Sequence, residues 1–117
     1  MSYRKYGNKK TVVDGIEFDS KAEAIRYEEL KLQEKLGMIS DLELQPEFLL
    51  QEKFKAYGKT EREIKYIADF KYFDKSKRKF IVEDVKGFRT KDFNLKRKLF
   101  LYRYSEKYLF VLTKGGR

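Results

Sequence analysis

Two runs of β-branched and aromatic residues near the middle of the chain are separated by a short polar segment. The first run is Tyr66-Ile67-Ala68-Asp69-Phe70, and the second extends from Phe80 to Gly87. The segment from Asp74 to Lys79 between them is charged or polar throughout. Because apolar runs on either side of such a segment are typical of two paired strands, the pattern predicts a β-hairpin.

The predicted hairpin has a definite register if its turn is centred in the middle of that polar segment. Phe73 then lies opposite Phe80, and Asp69 lies opposite Asp84, with both carboxylates on one face of the sheet. Lys86 is two residues beyond Asp84 and therefore points to the same face. The pattern thus predicts two facing acids with a lysine beside them.

Two facing aspartates are an unfavourable way to build a sheet, because aspartate is depleted in strands and like charges repel. One interpretation is that one aspartate lies at a frayed strand end and that Lys86 simply neutralises the pair. The other is that a divalent cation lies between the two carboxylates. Ligands that are all oxygen suit Mg²⁺ or Mn²⁺.

Near the N-terminus, Asp14-Gly15 lies between two apolar pairs, Val12 with Val13 and Ile16 with Phe18, and this dipeptide is typical of a tight hairpin turn. A helix is predicted to follow, from Asp19-Ser20 to about Leu36, and to end at Gly37. We expect a buried stripe on this helix that consists of Ala22, Ile25, Tyr27, Leu30, Leu32 and Leu36.

Glu23 has two possible roles at the start of this helix. Ser20 and Glu23 match a capping box, in which the glutamate side chain reaches back to a backbone N–H. Alternatively, Glu23 points at the pair of aspartates as a third acid. Helix periodicity does not decide between these interpretations.

Four further segments complete the predicted fold. Between Ile39 and Phe54 apolar residues alternate but are interrupted by Gln45-Pro46, which predicts one long strand bent at the proline or two short strands. Residues 56–59 are predicted to form a loop. A second helix is expected from Asp92 to about Tyr104, followed by a buried strand from Tyr108 to Leu112. The expected apolar stripe of the second helix consists of Leu95, Leu99 and Tyr102.

The predicted elements follow the order helix, three strands, helix, strand, behind a small N-terminal hairpin. The central strands carry apolar residues on both faces, which favours an α/β fold with a mixed sheet flanked by helices. A chain of 117 residues is close to the usual size of one domain, so we expect a single domain over residues 1–117.

Composition excludes several kinds of chemistry. The chain contains no Cys, which removes disulfides and zinc–thiolate sites. It contains no His, which removes histidine general bases, Ser–His and Cys–His nucleophile systems, and histidine metal ligands. We find no apolar run long enough to span a membrane and no signal-peptide pattern. Catalysis would therefore depend on carboxylates, lysine, tyrosine or a bound metal ion.

A net charge of +9 indicates a polyanionic partner, although a basic face can also be merely solvated. Residues 1–10 form a basic arm that is expected either to be flexible or to lie along phosphates. The segment from Lys86 to Arg103 is also strongly basic, with Asp92 as its one acid. The candidate nucleic-acid-binding residues are Lys5, Lys9, Lys10, Arg89, Lys91, Lys96, Arg97 and Lys98.

Asp69 followed by Asp84-Val85-Lys86, with Glu23 on a preceding helix, resembles the PD-(D/E)xK nuclease superfamily. This superfamily includes many restriction endonucleases and archaeal-type Holliday junction resolvases and has an α-β-β-β-α-β core. More closely, four runs in the chain resemble a family of small phage-encoded proteins of unassigned function. These runs cover residues 15–23, 42–46, 66–70 and 82–87. Ala68 stands where the superfamily name has a proline, which many members lack.

The resemblance implies a role for each site residue. Asp69 and Asp84 would bind Mg²⁺ or Mn²⁺, with help from the Val85 carbonyl, and Glu23 would complete the metal site. Lys86 would orient or polarise the attacking water, and Gln45 would assist.

The expected function is therefore that of a metal-dependent endonuclease acting on branched or duplex DNA. The resemblance to resolvases implies a structure-specific, homodimeric enzyme in the cytoplasm of a bacterial host. Two alternatives remain open: a general duplex or end-processing nuclease, and a non-catalytic DNA-binding module on a nuclease fold.

Overall fold

The structure, a computed structural model, describes residues 10–114. The predictions for the basic arm, apart from Lys10, lie outside this range. The helices are α1 (Lys21–Lys35) and α2 (Lys91–Tyr104). The strands are β1 (Thr11–Val13), β2 (Ile16–Phe18), β3 (Ile39–Leu44), β4 (Glu47–Gln51), β5 (Phe54–Ala56), β6 (Lys59–Glu61), β7 (Ile64–Ile67), β8 (Phe70–Asp74), β9 (Lys79–Lys86) and β10 (Tyr108–Lys114).

A mixed four-stranded sheet in the order β10-β9-β8-β3 forms the centre of the fold. β8 is antiparallel to both of its neighbours, β3 and β9, whereas β10 runs parallel to β9 because α2 carries the chain back across the sheet. Along the chain, these elements follow the order α1, β3, β8, β9, α2, β10. The predicted α/β fold and its order of elements are confirmed, with the short strands β4 to β7 inserted between β3 and β8.

One helix packs on each face of this sheet. On the α1 face, the core includes Tyr27, Leu30 and Ile81, and on the α2 face it includes Val82 and Phe100. The middle of β9, from Ile81 to Val85, is buried on both faces, and two of these buried residues, Glu83 and Asp84, are acids.

The central hairpin has the predicted register. Phe73 pairs with Phe80, and their ring centroids are 5.1 Å apart. Its first strand is not continuous, however, because Ala68 and Asp69 interrupt it between β7 and β8. β7 turns away and pairs with β4 in a separate two-stranded ribbon. The segment around Pro46 likewise forms two short strands, one of the two predicted alternatives.

Both predicted helix stripes were partly wrong. α1 buries Ala24, Tyr27 and Leu30, and α2 buries Phe93 and Phe100. Apolar residues occur on more than one side of each helix, so periodicity does not identify a single buried face. The large aromatic rings and the small Ala24 fit against the sheet, and the following members of the predicted stripes are exposed: Ile25, Leu32, Leu36, Leu95 and Tyr102.

Two other predictions need correction. The predicted loop at residues 56–59 is a tight turn that joins β5 to β6, and these two strands pair only with each other. The last strand, β10, is not fully buried because it lies at the edge of the sheet. Leu109 and Leu112 are each 37% exposed there. Within residues 10–114, neither helix is long and apolar enough to cross a membrane.

Candidate functional site

Asp84 lies in the middle of β9 and is only 2% exposed. Val82 packs on the α2 face of the sheet, and Glu83 points to the α1 face. Because side chains alternate along a strand, Asp84 points toward α2, as Val82 does. The hydroxyl of Tyr66 donates a hydrogen bond to the Asp84 carboxylate. Tyr66 is itself buried among aromatic rings, including Phe100, whose centroid is 5.5 Å away. A carboxylate is thus held in an aromatic core by a buried phenol.

Backbone hydrogen bonds join the two places where a strand is interrupted, Gln45-Pro46 and Ala68-Asp69. The Gln45 N–H donates to the Asp69 carbonyl (3.0 Å), and the Ala68 N–H donates to the Pro46 carbonyl (3.1 Å). Gln45 has a positive φ of 51°, which bends the chain between β3 and β4. Gln45 was predicted only from resemblance, and the structure places it against Asp69.

Asp69 is also fixed to β9, although it lies just outside β8. Its N–H donates to the Glu83 carbonyl (3.2 Å), and its Oδ2 accepts a hydrogen bond of 2.7 Å from the Val85 N–H. The register that pairs Phe70 with Glu83 puts Asp69 opposite Asp84 at the next step. The predicted juxtaposition of these two aspartates is therefore confirmed.

Neighbouring acidic side chains of the site shift the pKa values of Glu23 and Asp69. Burial raises the pKa of Asp69, as do the negative charge of Asp84, a hydrogen bond shared with it, and the charge of Glu23. Burial, followed by the negative charges of Asp19 and Asp84, raises the pKa of Glu23 from 4.5 to about 7, while Lys86 opposes this shift. Glu23, Asp69 and Asp84 therefore act on one another electrostatically, and Lys86 acts on Glu23.

Glu23 combines features of both predicted roles. Its N–H donates to the Ser20 side-chain oxygen at 3.1 Å, which is one half of the capping box. Its carboxylate accepts a hydrogen bond from the backbone of Asp19, one residue before the predicted capping partner. The same carboxylate lies within the electric field of Asp84 and Lys86. The helix start thus directs Glu23 toward the paired aspartates.

A cleft of about 130 Å³ brings together three of the predicted catalytic residues. Glu23, Gln45 and Asp69 come from three separate segments of the chain, yet all line this cleft. Asp84 and Lys86 are not among its lining residues. β2 contributes one wall, which the sequence did not indicate; the remaining lining residues are Ile16, Glu17, Phe18, Leu44 and Phe70.

Lys86 and Val85 have more specific positions than the sequence suggested. The Lys86 ammonium lies 4.7 Å from the centroid of the Phe93 ring, at the start of α2, where it makes a cation–π contact. The Val85 side chain is buried on the α1 face, and its N–H holds Asp69. The role predicted for the Val85 carbonyl stays a prediction.

The carboxylates do not form a ready-made metal site. Within residues 10–114, no three acidic side chains are grouped in a way that could hold a metal ion. Asp84 is turned toward Tyr66, and one oxygen of Asp69 is occupied by the Val85 N–H. Their chemistry nevertheless fits a hard divalent cation, since every donor is a carboxylate oxygen and the neighbouring acids attract positive charge.

A second buried carboxylate, Glu83, was not predicted as part of any site. It is fully buried on the α1 face, where Arg26 donates to both of its oxygens, at 2.6 Å from Nε and 3.1 Å from Nη2. Tyr72 and Thr113 also donate to it, at 2.6 Å and 2.5 Å. The one signal in the sequence was an acid within a buried apolar run, which requires a partner.

The predicted nucleic-acid-binding residues do not form one uniform face. Lys10 pairs with Asp19 at 3.5 Å, whereas Lys5 and Lys9 lie outside the described residues. Lys98 is exposed, whereas Arg97 is partly buried. Burial and Asp84 raise the pKa of Tyr66, and the positive charge of Arg97 opposes this shift. The others lie near the start of α2: Arg89 bonds Asn94, Lys91 is exposed, and Lys96 pairs with Asp92.

Comparison with known proteins identifies the family of this chain. Residues 3–115 match the family described as "Protein of unknown function (DUF1064)", and the chain belongs to that family. No curated protein matches the chain. No solved structure matches it either.

Proposed function

We propose that this protein is a divalent-metal-dependent DNA endonuclease of the PD-(D/E)xK type. The observation that carries the proposal is the convergence of acids from three elements: Glu23 on α1 and Asp69 before β8 line one cleft, and the hairpin register puts Asp84 on β9 opposite Asp69. The pKa shifts of Glu23 and Asp69 support it, because the charges of neighbouring acids raise both, and the charge of Lys86 acts on Glu23. The order of the helices and the central strands, α-β-β-β-α-β, agrees with the core of that superfamily.

Mg²⁺ or Mn²⁺ is the cofactor that suits this set of donors. Asp69 and Asp84 would hold the ion, and Glu23 would complete the site from across the cleft. Rotation of the Asp84 carboxylate away from Tyr66 would bring it toward the other two acids. When bound, the ion would supply charge neutralisation at the scissile phosphate and activation of the attacking water.

Lys86 and Gln45 would have separate roles in the reaction. Lys86 would place a positive charge beside the phosphate as negative charge develops in the transition state. Its ammonium lies against the Phe93 ring, and its charge acts on Glu23. Gln45 lines the cleft next to Asp69 and would help to orient the substrate. No step in this scheme requires histidine, which the chain does not contain.

DNA is the proposed substrate because the chain carries a net charge of +9 and the positive charge of Arg97 on α2 acts on Tyr66, which donates to Asp84. We favour a structure-specific, resolvase-like activity on branched DNA. The alternatives are a general duplex or end-processing nuclease and a non-catalytic DNA-binding module.

The test is incubation of the purified protein with labelled linear, branched and four-way DNA in Mg²⁺, Mn²⁺ or EDTA. We expect cleavage of branched DNA with either metal and none in EDTA. Equal cleavage of linear duplex would identify a general nuclease. Binding without cleavage under every condition would identify a non-catalytic module.

A homodimer is part of the proposal because resolution of a junction requires two symmetric nicks, and a two-fold dimer supplies two sites in a fixed relation. The exposed face of α1, formed by Ile25, Leu32 and Leu36, is the surface that favours a second copy. Acidic and basic residues are equal in number along α1, four of each, so two copies can approach there without strong repulsion.

A further inference from the structure

The hairpin of β5 and β6 stands apart from the rest of the fold. Its strands pair only with each other, from Phe54 opposite Glu61 to Ala56 opposite Lys59. Every residue from 51 to 63 except Ala56 is exposed. A two-stranded ribbon without packing on either face contributes little to the stability of the fold. Its exposed position therefore suits contact with a partner.

The turn of this hairpin contains a residue that its geometry does not favour. Tyr57 and Gly58 have φ values of 54° and 78°, both in the left-handed region. Such two-residue turns strongly prefer Asn-Gly or Asp-Gly, and the chain uses Asp14-Gly15 at its other hairpin turn, with φ values of 55° and 74°. A bulky residue is uncommon at a positive φ. Local rules are most often broken where function requires it.

The Tyr57 side chain is fully exposed at the tip, with a relative exposure of 103%. Phe54, on the same hairpin, is 45% exposed. Lys53, Lys55 and Lys59 flank these rings; residues 53–60 at the tip contain no acid, whereas Glu61 lies opposite Phe54 at the base of the hairpin. Exposed aromatic rings among positive charges are the combination that binds unpaired nucleotides, because the rings stack on bases while the lysines neutralise phosphates.

The hairpin is also connected to the candidate site. The ribbon of β4 and β7 starts beside Gln45 and Asp69, and β5 and β6 continue it outward. The ten steps from Glu47 to Tyr57 span at most about 34 Å, at roughly 3.4 Å per residue. That is about one turn of B-DNA. A substrate engaged at the acids could therefore reach the tip within one helical turn of the scissile bond.

We propose that the β5–β6 hairpin recognises unpaired nucleotides next to the duplex that the acids engage, with Tyr57 stacking on an exposed base. This inference rests on the proposed DNA substrate and narrows it to branched, gapped or single-stranded DNA. Lys53, Lys55 and Lys59 bind the backbone on either side of the stacked base.

Tyr57→Asn separates recognition from folding, because Asn suits this turn better than Tyr. We expect an unchanged or higher melting temperature, together with affinity for gapped DNA about 5- to 150-fold weaker. Binding is measured in EDTA, and affinity for intact duplex should stay unchanged. The matched control is Tyr102→Asn, which removes another tyrosine that is 89% exposed, and it should leave the gapped-to-duplex affinity ratio unchanged.

A fluorescence measurement tests stacking directly. The chain contains no Trp, so Tyr57→Trp introduces a single reporter at the tip. Its emission should be quenched by a single-stranded oligonucleotide, whereas that of Tyr102→Trp, at the other highly exposed tyrosine, should not. An unchanged affinity ratio in Tyr57→Asn, or emission from Tyr57→Trp that gapped DNA does not alter, would overturn the proposal. If Tyr57→Asn changes the oligomeric mass in solution but leaves DNA affinity normal, the hairpin makes protein contacts instead, and the proposal is overturned.

These readouts do not depend on cleavage. If the protein proves not to be a nuclease but Tyr57→Asn no longer binds gapped DNA tightly, the recognition role stands and the catalytic proposal fails. If cleavage depends on metal but Tyr57→Asn binds gapped DNA normally, the catalytic proposal stands and the recognition role fails.

Discussion

Arg26 on α1 and Glu83 on β9 form a two-point ion pair, with donor–acceptor distances of 2.6 Å and 3.1 Å. Glu83 is fully buried, so its charge depends on this guanidinium and on the hydroxyls around it. The pair fixes β9 against α1 on one face of the sheet. Because side chains alternate along a strand, it also fixes Asp84 on the other face.

Arg26→Ala should strongly destabilise the fold because it leaves a buried carboxylate without its cation. We expect a decrease of about 3–5 kcal/mol in the free energy of unfolding, measured by urea denaturation. Glu29→Gln removes the exposed partner of the same arginine and should cost less than about 0.5 kcal/mol. A decrease below about 1 kcal/mol in Arg26→Ala would show that the Glu83 charge is satisfied in another way.

Glu23→Gln distinguishes a capping residue from a metal ligand. The Gln side chain keeps the capping geometry, and the bond from the residue 23 N–H to Ser20 does not depend on it, so the free energy of unfolding should change by less than about 0.5 kcal/mol. Cleavage should fall at least about 10-fold because the site no longer has this carboxylate. Glu28→Gln, at an exposed position on the same helix, should retain full activity. Reduced stability with normal activity per folded molecule would assign Glu23 to the cap alone.

The basic residues of α2 should carry part of the DNA affinity. Changing Lys96, Arg97 and Lys98 together to Ala should weaken binding to all sequences and reduce the steepness of its salt dependence by about 0.9 for each phosphate that is no longer neutralised. Since Arg97 is partly buried and its charge acts on Tyr66, whereas Lys98 is exposed, Arg97→Ala alone should weaken binding more than Lys98→Ala does. An unchanged salt dependence in the triple variant would mean that this helix does not touch DNA.

The exposed face of α1 should mediate self-association. Sedimentation should give a mass near twice 14.2 kDa, and changing Ile25, Leu32 and Leu36 together to Ser should give the monomer without unfolding the protein. The control is the pair Leu109→Ser and Leu112→Ser on β10, which should leave the mass unchanged. A wild-type monomer that cuts linear duplex as well as junctions would favour the general-nuclease alternative.

The sequence was sufficient for the relations that depend on local pattern. The register of the central hairpin followed from the polar turn and the facing apolar runs, so Phe73 meets Phe80 and Asp69 faces Asp84. The Asp14-Gly15 turn and the Ser20 cap followed from the strong preferences of those residue types. Each of these features is determined within a few residues of the chain.

Features that depend on distant partners were not predictable in this way. The interruption of the strand at Ala68 depends on a hydrogen bond to Pro46, and the burial of Glu83 depends on Arg26, 57 residues earlier. The buried face of α1 is set by the shape of the sheet that it meets, because apolar side chains occur around the helix. The β5–β6 hairpin was missed because Tyr-Gly is a poor signal for its turn.

Asp84→Asn tests the central claim most directly, because the negative charge of Asp84 acts on both of the other acids, Glu23 and Asp69. In Mg²⁺, cleavage of branched DNA by this variant should fall at least about 100-fold. DNA binding measured in EDTA should be unchanged or tighter, because the substitution removes a negative charge. Asp41→Asn, at an exposed position on β3, is the control and should cleave normally. Cleavage by Asp84→Asn at the wild-type rate, or wild-type cleavage that persists in EDTA, would contradict the assignment.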